Sequence, residues 1–311
     1  MALPGGTITG VTEISNLVQT AYDQYVRMAL RSIPVMRAIA DVKPVQQAMP
    51  GSSVVFSIYS DLAQATSTLT EESDVSSVAL GNPSQVSVTL NEYGSAVTTT
   101  KKLNLTSFND VDAALADIIA YNAADSIDSV VASVLTAGTN VLYGGNATST
   151  NTIDATDTIT VAKIRQAVTE LRTNKALPRI GELYAAYLHP RQSADLRAET
   201  GTGGFQELSK YVDRTPFVAG AVGVIEGAFV VETPRVPFAA NTNTPAVNVY
   251  KAVVAGREAL AEAMAQDIST VIGPEIDALR RFRTIGWYYF GGFARLREAA
   301  LYRIETAATN G

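Results

Sequence analysis

The sequence contains no cysteine and a single histidine, His189. The first absence excludes disulfide frameworks, thiolate metal sites and cysteine nucleophiles. The second leaves one imidazole for any triad or metal, and makes a His-x-x-x-His helix impossible. Basic charge is short as well: 24 Lys and Arg stand against 30 Asp and Glu, for a net charge of −6. Without a basic tail or arm, a protein that grips nucleic acid by its phosphates is not indicated. No apolar run reaches the ~18 residues of a membrane span. Met1-Ala2-Leu3-Pro4-Gly5-Gly6 has neither region of a secretory signal, so Asn104 and Asn146 are read as chance Asn-x-Thr matches. No Gly-x-Ser-x-Gly elbow or phosphate-loop Gly-Lys-Ser/Thr occurs. Gly201-Thr202-Gly203-Gly204 fails the dinucleotide pattern at Gln206.

What is present is apolar content: 47% of 311 residues, enough for a large core in one to three domains. The chain is organised around Ser107–Gly138, which the periodicity predicts as one helix. Val111, Leu115, Ile118, Ile119, Ile127, Val130, Val131, Val134 and Leu135 recur at three- and four-residue spacings on one face. Ser107 with Asp110 provides a start, and Gly138 a left-handed stop. Such a rod is roughly 45 Å long at 1.5 Å per residue. Its charges, Asp110, Asp112, Asp117, Asp125 and Asp128, read as a solvated face.

Before this helix, Ile14, Leu17, Val18, Ala21, Tyr25 and Met28 form an amphipathic stripe that ends at Pro34, an arm with one apolar side. Residues 51–59 and 85–100 alternate as strands. The tract 61–83 between them carries Asp61, Glu71, Glu72 and Asp74 and no Lys or Arg, so the whole reads as an extended β-arm. After the helix, the pattern predicts a linker at 144–157 and a helix from Thr160. Strands follow at 182–188, 222–232 and 247–255, with short helices at 191–198 and 257–265. Residues 276–303 read mostly as strand with a bend at Gly291-Gly292. Helices and strands mix without regular alternation, which makes the class α+β.

Chemistry is sparse. A strand-end histidine before proline is more often structural than catalytic, so a hydrolase using His189 is the minor alternative. Glu71-Glu72 and Asp74 lack the spacing and central glycine of a calcium loop, and no metal, cofactor or catalytic site is expected. Arg280, Arg281 and Arg283 form the one basic cluster. As a strand, it would place Arg281 and Arg283 on one face and Arg280 and Phe282 on the other. The segment 280–303 carries six arginines against the single acid Glu298, opposite in sign to the acidic arm. Glu71, Glu72, Asp74, Arg280, Arg281 and Arg283 are therefore the candidates for contacts between copies of the chain.

Several stretches, taken in order, resemble the major capsid proteins of tailed bacteriophages. They are Leu90-Asn91-Glu92-Tyr93-Gly94-Ser95-Ala96-Val97-Thr98-Thr99-Thr100 before the long helix, and Tyr187-Leu188-His189-Pro190 before a helix ending near Leu196-Arg197. Then come Gly223-Val224-Ile225-Glu226-Gly227-Ala228-Phe229-Val230-Val231-Glu232-Thr233 and Arg283-Thr284-Ile285-Gly286-Trp287…Gly291. The resemblance implies the Hong Kong-97-type capsid fold. Its N-arm would be 1–44, its E-loop 45–105, its P-domain 106–159 and 263–311 with the spine helix, and its A-domain 160–262. It implies a non-enzymatic subunit that assembles in the host bacterial cytoplasm into the icosahedral head, as pentamers and hexamers around double-stranded DNA. Scaffolding, portal and decoration proteins would be separate partners, since the chain begins almost at the arm. An encapsulin-like nanocompartment subunit would share the fold. Some members crosslink through an E-loop lysine; here no Lys falls between Lys43 and Lys101, so that chemistry is not expected.

Overall fold

The computed structural model describes residues 33–44, 53–69, 71–75, 77–106, 111–200, 205, 223–275, 277 and 279–309. The expected N-terminal helix, the Ser107–Asp110 start and the Gly201–Gly204 loop lie outside them.

Among the described residues, a four-stranded sheet, a seven-stranded sheet and a two-stranded arm are joined by one long helix. The four-stranded sheet starts at its edge with β1 (Asp41–Pro44). The arm is the antiparallel pair β2 (Ser53–Ile58) and β3 (Ser84–Thr89), in register from Ser53↔Thr89 to Ile58↔Ser84. Alternation decides its faces: Val54 and Val88 are buried, while Val55, Ser57 and Ser87 are exposed. The expected continuous strand through Thr100 breaks at Leu90. Its second half is β4 (Asn91–Thr100), which leaves the arm and forms an edge of the four-stranded sheet. The six-residue helix α1 (Lys101–Thr106) follows, then α2 (Val111–Thr136), a 26-residue rod inside the expected span.

α2 buries Ile119, Ala123, Ile127, Val131 and Leu135 at four-residue spacing, while Ile118, expected on that face, is 45% exposed. By length and composition Leu115–Thr136 would pass as a membrane span. Its buried stripe packs on both sheets, which marks a core helix. Gly138 is not left-handed. The carbonyls at the helix end are instead capped by arginines: Arg295 Nη1 donates to Val134 O (3.1 Å), and Arg303 Nη1 to Gly138 O (3.1 Å) and Thr136 O. Cations there complement the helix dipole.

Beyond α2, β5 (Val141–Tyr143) enters the seven-stranded sheet. α3 (Val161–Thr173) is capped by Thr160, whose Oγ1 accepts from Lys163 N–H. β6 (Tyr184–Leu188), α4 (Pro190–Ala198), β7 (Val224–Ile225), β8 (Ala228–Glu232), β9 (Phe238–Ala240) and β10 (Asn248–Ala255) follow. The expected single strand 222–232 is a hairpin. Glu226 (φ 48°) and Gly227 (φ 85°) form its two-residue turn, a conformation that glycine relieves. The expected helix at 257–265 is a strand, β11 (Leu260–Ile272). Its Leu-Ala-Glu-Ala-Met run favours helix locally, but the segment is flanked by β1 and β12 (Phe282–Arg295), and Leu260–Ala263 are fully enclosed. Tertiary burial outweighs the ~0.5 kcal/mol per residue at stake in propensity. β12 runs through Gly291 and Gly292 as one continuous strand. β13 (Leu301–Thr306) returns to the larger sheet.

The strand orders are β1-β11-β12-β4 and β5-β13-β10-β6-β8-β7, with β9 also on β10. One face of the seven-stranded sheet carries α3 and α4 through Ile164, Val168, Leu171 and Leu196. The other carries the end of α2 together with Met36 and Ile39. The four-stranded sheet holds the first part of α2 on one face, through Ile285, Trp287 and Tyr289. Its other face takes the arm, through Val54, Val88 and Leu90.

Candidate functional site

Three charged anchors fix residues 33–44, the point from which the N-terminal part of the chain departs. The first is Asp128 on α2, which is 1% exposed rather than solvated. Its carboxylate accepts from the N–H groups of Met36 (2.7 Å), Arg37 (3.0 Å) and Val35 (3.3 Å), capping the helical turn Met36–Ile39 from another element. Burial pushes its pKa up, and the three N–H donors only partly offset this. Arg235 supports it from 3.9 Å while pairing with Asp125 and donating to Tyr121 Oη (2.9 Å).

The second anchor is Arg37. Its guanidinium donates to Glu262 (2.6 and 3.1 Å) and Asp267 (3.0 Å), and Tyr289 Oη donates to Glu262 Oε1 (2.9 Å). Glu262 is wholly buried. Burial disfavours the charged form of Arg37, yet the hydrogen bonds and charges of Glu262 and Asp267 more than reverse this and hold its pKa above the usual value. The third is Arg179. It donates to Asp41 Oδ1 (2.5 Å) and Ala40 O (3.1 Å), while Asp41 Oδ2 accepts from Glu258 N–H (2.9 Å). None of these pairings has a sequence signature. The partners of residues 35–41 lie 91 to 230 residues away, and only helix phase at Asp128 hinted that one acid shared the apolar face.

The residues expected to meet other copies fall into two groups. Glu71, Glu72 and Asp74 are exposed on the tract between β2 and β3. Among the described residues their only side-chain contact is Asp74 Oδ1 accepting from Val75 N–H (2.8 Å). Around them Leu62, Leu69, Val75, Val78 and Leu80 are 57–76% exposed, an apolar run open to solvent. The arginine cluster does not form the expected strand. Arg280 sits in a turn with φ 52°, and the strand begins at Phe282. Arg281 pairs within its own chain with Asp277 (2.6 Å) and lies over the Phe282 ring. Arg283 is half-buried and already has an interaction partner. Arg280 remains as an exposed cation whose side chain has no partner among the described residues. Further along that segment, Arg295 pairs with Glu298 and Arg297 with Glu258 (2.6 Å). Arg303 Nε lies 2.8 Å from Glu305 Oε1, off the line of a hydrogen bond.

His189 serves the fold. Its Nδ1 accepts from Arg191 N–H (3.2 Å) at the start of α4, and its ring packs on Tyr250 (4.6 Å) and Phe238 (5.9 Å). Burial and the nearby Arg191 charge lower its pKa, against a smaller opposing effect of Glu232. Among the described residues no group of three or more His, Asp or Glu side chains is placed to hold a metal ion.

The sequence matches the phage capsid protein family model over residues 15–309. The chain belongs to the phage capsid protein family. Compared with curated proteins, the capsid protein sequence finds no match. Its structure is similar to the capsid of cyanophage P-SCSP1u, with 17% identity, 98% of this chain and 97% of that one covered, and a TM-score of 0.74. It is also similar to the capsid of Ralstonia phage GP4, at 16% identity with 98% of each chain covered and a TM-score of 0.74. The capsid of a native GTA particle matches at 15% identity, covering 97% and 100%, with a TM-score of 0.69. The capsid protein therefore has the Hong Kong-97-like fold, and its role is that of a major capsid protein forming the phage head shell.

Proposed function

We propose that many copies of this chain close into an icosahedral head, as pentamers and hexamers, around the double-stranded DNA of a tailed phage. The observation that carries this reading is the tract between β2 and β3. It exposes five large apolar side chains, and three acids that have no ion-pair partner among the described residues, as a surface suited to contact with another subunit. In this reading residues 1–44 act as the N-arm, 45–105 as the E-loop, 106–159 and 263–311 as the P-domain, and 160–262 as the A-domain. Glu71, Glu72, Asp74 and Arg280, without an ion-pair partner among the described residues, are among the charges through which subunits meet. The net charge of −6 makes the shell a container for DNA rather than a sequence-reading binder. The subunit does no chemistry of its own, assembles in the bacterial cytoplasm, and works with separate scaffolding, portal and decoration proteins. Electron microscopy of the purified protein, with its scaffolding partner where one is encoded alongside, tests the reading: uniform closed particles support it, and only monomers or open sheets refute it.

A further inference from the structure

We propose that a hollow lined by Lys175, Arg257 and Arg297 receives the acidic tract Glu71-Glu72-Ser73-Asp74 of a neighbouring copy. This inference rests on the shell reading above and names the partner surface for the arm.

The hollow lies where the turn after α3 meets the β10–β11 turn and the segment before β13, and Asp61 of this chain's own tract also lines it. Glu258 in its wall is already spent on Arg297 at 2.6 Å. Lys175 and Arg257 are exposed and have no side-chain partner among the described residues. Three cations against the two acids Asp61 and Glu258 leave this concave surface net positive, and among the described residues no ion pair joins Asp61 to Lys175 or Arg257, so a ligand carrying carboxylates is favoured. The backbone that carries the cations is also fixed. Arg257 N–H donates to Leu177 O (2.7 Å), which ties the two turns together, and Lys175 N–H donates to Arg172 O (3.0 Å) at the end of α3. Lys175 follows the C-cap Asn174 with φ 57°, and Glu258 has φ 59°. Glycine is the ordinary residue for a left-handed position after a helix. Here two charged residues take that strain on the rim of one hollow.

The ligand side is equally specific. Glu71, Glu72 and Asp74 are exposed and make no ion pair among the described residues, and no Lys or Arg lies between Lys43 and Lys101. A second hollow shares Glu258 and Arg297 with the first and is lined by Phe56, Ile58 and Leu296. It offers apolar surface to Leu69 and Val75, which flank the acids and are 76% and 60% exposed. Donor and receptor sit at different places on the same chain, so the contact is head-to-tail and every copy can make it twice, once in each role.

The absence of native cysteine gives a clean test in the full-length chain. Glu72→Cys combined with Lys175→Cys should give disulfide-linked multimers on a non-reducing gel of assembled particles, whereas Glu72→Cys with Arg280→Cys should not. In parallel, Glu71→Lys with Glu72→Lys, or Lys175→Glu with Arg257→Glu, should each lower particle yield about tenfold, since exposed pairs are individually weak but repeat over every copy. Combining all four substitutions should restore yield. Unchanged thermal unfolding of the soluble subunits shows that each variant folds. If wild-type particles form but the 72–175 pair gives no multimers and the reversals assemble normally, the docking inference is overturned and the shell reading stands. Multimers through position 280 instead would also overturn it. If the wild-type chain never assembles, the shell reading itself falls.

Discussion

Asp128 stands among the acids that helix periodicity assigns to solvent, yet it is buried and holds three N–H groups of a segment 91 or more residues away. A short carboxylate on the core side of a helix is the one side chain there able to accept several N–H donors at once. Asp128→Ala should destabilise the subunit by about 1.5–3 kcal/mol, the usual cost of losing hydrogen bonds to a charged acceptor. Asp128→Asn, which keeps one acceptor oxygen, should cost less; urea unfolding midpoints measure both. His189 predicts a pH effect. Its pKa is lowered in the fold, so the unfolded chain takes up the proton more readily. Stability is therefore complete above the ordinary imidazole value near ~6.5 and falls as pH drops from there through the depressed value. His189→Asn keeps a capping side chain and should flatten that acid slope below about pH 6.5 in denaturation curves taken at several pH values.

At the scale of elements, the arm sits on its sheet through close backbone approach. A Cβ at Gly292 on β12 would lie 2.0 Å from Thr89 O on β3, so only glycine lets the two backbones meet there. Gly292→Val should lift the base of the arm off the sheet. It should lower stability by about 1–3 kcal/mol in thermal unfolding, as overpacking does. Particles from this variant should be misshapen or absent, because the arm then leaves the subunit in a different direction. β11 makes the complementary point: a run rich in helix-forming residues becomes the central strand because both its edges are already occupied by partners.

For the whole molecule, the anchors make residues 33–44 part of the subunit fold. Deleting residues 1–32 should leave the unfolding transition nearly unchanged while blocking closed shells. Deleting 1–44 should do more. It removes Met36 and Ile39 from the core, leaves Glu262 with Tyr289 but without Arg37, and leaves Asp128 with Arg235 but without its three N–H donors. Breaking a buried ion pair costs about 3–5 kcal/mol, so this version should unfold or aggregate in the same assay. Mature shells should dissolve to single subunits in boiling detergent, since the arm has no lysine to crosslink. A ladder of multimers on a denaturing gel would contradict that.

The sequence by itself determined the long helix, the alternating arm strands, the order of most later elements and the capsid-like pattern. Each of these is local, repeating apolar residues with a fixed period or placing a cap, turn or motif at a fixed offset. Tertiary structure decided the rest. Whether Leu260–Met264 is helix or strand depends on neighbours supplied by residues 41–44 and 291–295. Which aspartate on α2 is buried depends on where residues 35–37 arrive, and whether Arg281 is free depends on a turn that presents Asp277. The function-bearing arm was legible because its composition is unusual along the chain. Lys175, Arg257 and Arg297 were not legible as a site, because they stand 40 to 122 residues apart and converge only when three separate turns pack together.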